Sequence, residues 1–114
     1  MNPTTSLEFS RKIYEIIGEQ ETEYRWLVGG KLSGETYSEL MKSKERRYCT
    51  ADSAFCAFTA YTFGELLRVM PLIGKEESFD VKTSLVETCA FLYAKAPTPE
   101  QGMKDVEAYL EQYL

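Results

Sequence analysis

The sequence predicts an α+β fold in which three helices pack on a small, mainly antiparallel sheet, in the order α-β(β)-α-β-β-α. Two observations predict it. Hydroxyl-x-x-carboxylate (or carboxamide) start signals stand ahead of apolar residues spaced three and four apart, and between them aromatic and β-branched residues alternate with polar ones. Strands near enough in sequence to pair as hairpins, interleaved with helices, give an antiparallel sheet with helices laid on it. The chain has 114 residues, the length of one domain, and neither a repeat nor a long linker divides residues 1–114.

The first helix runs from about Leu7 to Ile17, with Phe9, Ile13, Ile16 and Ile17 on one face. Thr5 and Glu8 form a T-x-x-E capping box ahead of it, and Gly18 supplies a left-handed stop. In ETEYRWLVGG, Tyr24, Trp26 and Val28 alternate with Glu23, Arg25 and Leu27, the period of a strand with one buried face; Gly29 and Gly30 offer a turn. The following KLSGETYSELMKSKERR reads as a loop with partial order. A short helix capped by Thr36 and Glu39, or a second strand, also fits it. TADSAFCAFT, residues 50–59, reads as a segment crossing the core.

It leads into AYTFGELLRVMPLIG, residues 60–74, where Thr62 and Glu65 form a second capping box and Tyr61 is placed to staple onto Leu66. Phe63, Leu66, Leu67 and Met70 make the apolar side, and Pro71 is expected to end this helix by disfavouring a helical backbone at Met70. SFDVKTSLVETCAFLYA, residues 78–94, reads as two short strands around a turn near Ser84 to Glu87. TPEQGMKDVEAYLEQYL then opens with Thr98 as N-cap, Pro99 at the first helical position and Gln101 closing a box. Met103, Val106, Leu110 and Tyr113 recur on one face.

With 44% apolar and 13% aromatic residues the composition is that of a globular protein, and a core rich in tyrosine and phenylalanine is expected. A net charge of -5 argues against salt-driven attraction to nucleic acid or anionic lipid. No apolar leader segment and no run of about 18 apolar residues occurs, so neither secretion nor membrane insertion is expected. Cys49, Cys56 and Cys89 form an odd set without a C-x-x-C pair, which predicts reduced thiols and a cytoplasmic protein.

The chain contains no histidine. That removes Ser-His-Asp and Cys-His nucleophilic systems and histidine-ligated metals. Phosphate-cradling, dinucleotide-binding and nucleophile-elbow motifs are missing too. The expectation is a non-enzymatic protein with no cofactor and no metal.

Four residues of KSKERR, Lys42, Lys44, Arg46 and Arg47, are the candidate partner-binding residues, a cluster able to hold a phosphate or an acidic protein surface. Glu45 interrupts the run and the whole chain is acidic, so a solvated loop is the plainer reading. Cys56 sits among apolar neighbours that would raise its pKa and reads as structural; Cys49, after two arginines, is the more activated thiol. The carboxylates Glu19, Glu21 and Glu23, and Glu76, Glu77 and Asp80, lack calcium-loop spacing and read as charged turn surface.

Three stretches, EQETEYRW (19–26), AFTAYTFGELLRVMP (57–71) and MKDVEAYLEQYL (103–114), resemble a group of small proteins encoded by phages and mobile elements of Bacteroides-type gut bacteria. In that group a glutamate-rich turn leads into an aromatic strand, and a segment like A-[YF]-T-x-x-E-L-x-x-M-L-P forms the middle helix. Here Tyr61, Thr62, Glu65, Leu66, Met70 and Pro71 carry that motif. The resemblance spans about half of the chain, with no counterpart for residues 31–53, and the closing helix lacks the group's A-D-A-R-A-K pattern. It implies a cytoplasmic phage or prophage protein and carries over no functional residue. The expectation is an accessory module that binds a protein partner through exposed aromatic residues, with homodimerisation open. Two alternatives stay open: a small-ligand or nucleotide binder with carboxylate chemistry, and a weak nucleic-acid contact through the loop at 42–47.

Overall fold

A computed structural model of the chain describes residues 3–30, 36–43, 55–74 and 77–114. Four helices and three strands follow one another as α1 (Leu7–Ile17), β1 (Tyr24–Gly30), β2 (Thr36–Lys42), β3 (Phe55–Ala60), α2 (Phe63–Ile73), α3 (Phe79–Lys95) and α4 (Pro99–Leu110), with a closing 3-10 turn at Glu111–Tyr113. The α+β class is as expected, but the order is α-β-β-β-α-α-α. The strands form one antiparallel sheet in the order β2-β1-β3. Trp26 on the middle strand lies between Leu40 and Phe58, and the Tyr14 ring of α1 meets Phe58 edge-on at 5.4 Å.

The largest departure from the expected order is α3, which replaces two strands with one helix. Ser78 caps it, its hydroxyl accepting from the Val81 amide, and Asp80 and Lys95 complement the helix dipole at opposite ends. Ala96 is extended ahead of Pro97, and the helix stops there. β-branched content pointed to strands because α3 is apolar on more than one side, which blurs the helical period; burial of Leu85 and Cys89 against the other helices decides the matter.

Three smaller corrections have local causes. The segment read as a partly ordered loop holds β2, which supplies the second partner for β1; the core-crossing segment ends as β3. Pro71 does not end α2: the helix continues to Ile73, whose burial outweighs the hydrogen bond that a proline nitrogen cannot donate. The N-cap of α1 is Ser6 rather than Thr5. Thr5 is engaged elsewhere, its amide donating to the Tyr61 carbonyl at 2.8 Å and its hydroxyl accepting the Tyr61 amide at 3.0 Å and meeting Ser10 Oγ at 2.7 Å.

Other start and stop signals hold. Gly18 closes α1 with φ 72°, the left-handed conformation that favours glycine, and its amide reaches the Tyr14 carbonyl. Glu65 Oε1 accepts both the amide and the hydroxyl of Thr62, each at 3.0 Å. Thr98 accepts the Gln101 amide with Pro99 at the first helical position, but the Gln101 side chain does not close the expected box and donates instead to Asp105 Oδ1 at 2.9 Å.

The core joins Phe9 and Ile13 of α1, Tyr61, Leu66 and Met70 at α2, Leu85 and Cys89 of α3, and Met103, Val106 and Leu110 of α4. It is more aliphatic than expected, because Phe79 and Phe91 stand at the surface. Among the described residues, no helix is long and apolar enough to cross a membrane.

Candidate protein-docking face

The position of α3 is fixed from its inner side. Val81, Leu85, Cys89 and Leu92 recur at three- and four-residue steps and turn into the core or its margin. Near its C-terminal end the Tyr93 ring stacks on Phe63 of α2, with centroids 3.9 Å apart and planes within 2°. Gly102 of α4 lies so close that a Cβ there would stand 3.1 Å from the Tyr93 carbonyl oxygen. Gly74, just past α2, leaves the same kind of space for Leu85, whose Cδ1 would be 3.1 Å from a Cβ. The helix is thus clamped between α2 and α4.

With that side occupied, a second stripe faces outward. Phe79, Thr83, Ala90 and Ala94 are exposed, uncharged and within a sector of about 60° at about 3.6 residues per turn, and Val86 lies at its edge, partly buried against the core. Phe79 is 82% exposed. The Thr83 hydroxyl is already engaged, donating to the Phe79 carbonyl at 3.0 Å. Phe79, Thr83 and Val86 line a shallow groove of about 500 Å³ whose other walls are Pro71, Lys82 and Glu87. Leu72, 46% exposed, lies next to Pro71 at the end of α2. Beyond Glu87, Phe91 is 63% exposed, with the Lys95 ammonium 5.7 Å from its ring centroid.

An uncharged stripe of this kind, opposite the core face of one helix, can bury apolar area against another chain. Sequence reasoning missed it because residues 78–94 were read as strands. The signal that could have found it was Ser78 followed by Asp80, with Pro97 beyond, which bounds a helix and sets its period.

Of the sequence-predicted basic cluster, Lys42 alone lies among the described residues. Lys42 is exposed at the end of β2, opposite Tyr24 in register; Lys44, Arg46 and Arg47 lie outside the described residues, as do Cys49 and the side chain of Cys56. Cys89 is fully buried and burial pushes its thiol up to about 11, which suits a structural residue. Of the carboxylates, Glu19 pairs with Arg25, and Glu76 lies outside the described residues. Among the described residues, no group of three or more acidic or cysteine side chains could hold a metal ion. A broader depression of about 650 Å³ runs along α1 between Leu7, Glu8, Arg11, Lys12 and Glu15, where two acidic side chains flank two basic ones.

No family model, curated protein or solved structure matched the chain.

Proposed function

We propose that the chain is a protein-interaction module that docks another protein chain on the outer face of α3, an accessory protein of the phage or prophage kind it resembles. One observation carries the docking: the uncharged stripe from Phe79 to Ala94 on a helix whose opposite side already belongs to the core. Keeping a phenylalanine 82% exposed gives the isolated chain no burial energy, whereas removing it from water at an interface stabilises a complex by about 25 cal/mol per Å² of apolar area.

The test is affinity capture from a bacterial lysate with tagged wild-type protein and tagged Phe79→Asp and Ala90→Glu variants, both altered at exposed positions. The wild type should retain a protein chain, of its own kind or another, that both variants lose while their thermal melts stay unchanged. Retention by the variants equal to that of the wild type removes the α3 face from function.

A further inference from the structure

We infer that the three-stranded sheet opens from the helical body as a cooperative unit, and that Thr5 is the latch that holds it closed. The inference uses no residue of α3 and stands apart from the docking reading.

The sheet leaves the helices and rejoins them at one stem, because Tyr24, where β1 begins, and Ala60, where β3 ends, are partners in register. The apolar core that joins the helices draws none of its residues, among those described, from β1, β2 or β3. Apolar contact between the two parts includes the Phe58 ring, which meets Tyr14 edge-on and lies 5.4 Å from the Arg11 guanidinium, both on exposed residues of α1. A part that shares so little of the core opens at a lower free energy than the core itself.

Thr5 is fully buried, and it reaches both parts at once. Its amide donates to the Tyr61 carbonyl at 2.8 Å and its hydroxyl accepts the Tyr61 amide at 3.0 Å, which grips the chain where it leaves the stem for α2. Its carbonyl accepts the Trp26 indole N–H at 2.9 Å on the middle strand, and its hydroxyl lies 2.7 Å from Ser10 Oγ in α1. A bridge between Thr4 and Thr62 extends the same grip by one residue. Hydrogen bonds weaken steeply once misaligned, so withdrawing Thr5 frees the stem and the middle strand in one step. Trp26, the one tryptophan of the chain, reports that step directly.

Native-state hydrogen exchange on the full chain, with urea unfolding followed by Trp26 fluorescence and by helical ellipticity, tests this. In the wild type, protection of the β1 amides from Arg25 to Val28 should be lower by about tenfold or more than that of Val106 and Leu110 in α4. Thr5→Val keeps the branched shape but deletes the hydroxyl and leaves the Tyr61 amide unpaired. Protection of the β1 amides should then fall by about a further tenfold and the Trp26 transition should move to lower urea. The helical transition should move by less than half as much. Two transitions that shift together and stay superimposed overturn the separate opening, and a Trp26 transition that Thr5→Val leaves in place overturns the latch. If Thr5→Val does not fold, exchange in the wild type decides: β1 amides protected as strongly as those of α4 overturn the proposal, and weaker protection upholds it.

Discussion

The helical body and the sheet share one chain but differ in how their side chains are used. In the body, Ile13, Leu66, Val106 and Leu110 are fully buried. On β1, the middle strand, only Tyr24 and Gly29 are buried, while Trp26, Leu27 and Val28 are partly exposed. A strand paired on both edges satisfies its backbone through the ladder whether or not its faces are covered. The sheet is thus held chiefly by backbone pairing and the body by side-chain packing. Polar contacts join them: Trp26 Nε1 donates to the Thr5 carbonyl at 2.9 Å, the Gln20 amide to Thr59 Oγ1 at 3.1 Å, and the Glu23 amide to Glu65 Oε2 at 2.9 Å.

The sharpest way to break this comparison is to make the same truncation in both regions. Leu110→Ala removes a fully buried side chain and should cost about 3 kcal/mol in urea unfolding, transfer and cavity contributions together. Leu40→Ala, at a partly exposed position of β2, should cost about 1 kcal/mol. Equal losses would show that the sheet is packed as tightly as the body.

A second pair lies within the body. In Gly102→Ala the added Cβ would stand 3.0 Å from Tyr93 Cδ2, 3.1 Å from its carbonyl oxygen and 3.3 Å from its Cα. Two of those atoms are backbone, so no rotamer change relieves the contact and α3 must move from α4. The expected loss is about 2 kcal/mol, within the range of overpacked cores. Gly64→Ala has nothing within 4 Å and should stabilise α2 by about 0.5 kcal/mol through helix propensity and chain entropy. Melting temperatures moving in opposite directions would establish the contrast; a tolerated Gly102→Ala would mean that α3 can shift freely.

The legible parts were those whose signals are local. Thr62 with Glu65, Gly18, and Thr98 with Pro99 each organise a few neighbouring atoms, and each works as read. What failed depended on distant residues. Thr5 lost the cap of α1 because Tyr61, 56 positions away, takes its hydroxyl. The reciprocal half of the box expected from Glu8 is supplied by Glu107 of α4, which accepts the Ser6 amide at 2.6 Å across 101 positions. The α3 stripe was hidden by its own composition, since a helix apolar on two sides reads much like a pair of strands. As for the basic cluster, only Lys42 lies among the described residues.

A smaller effect tests how completely the body is satisfied. The Tyr61 hydroxyl is buried near Thr59 without completing a hydrogen bond, and burial pushes its pKa up to about 12. Thr59 is already engaged with Gln20. Tyr61→Phe removes an unpartnered polar atom while keeping the ring, so stability should rise by up to about 1 kcal/mol. A loss would mean that the hydroxyl acquires a partner in solution.

The smallest effect concerns the contact between α4 and α1. Burial holds the Glu107 carboxyl above its ordinary value of 4.5, opposed by its hydrogen bond with Ser6 and reinforced by the nearby negative charges of Glu111 and Glu8. Lys12 answers Glu111 at 2.7 Å, but both are largely open to solvent. Because the folded pKa is raised, the folded protein binds the proton more tightly than the unfolded chain. The resulting stability is fully present below 4.5 and is lost as pH rises through the elevated value. Glu107→Gln retains an oxygen to accept the Ser6 amide and removes the titration. The difference in melting temperature between wild type and variant should therefore change across that window, with the variant gaining relative to wild type towards neutral pH. A difference that stays constant with pH would assign the Ser6 contact to geometry alone, and the junction of α1 with α4 would then be as insensitive to charge as the apolar core beneath it.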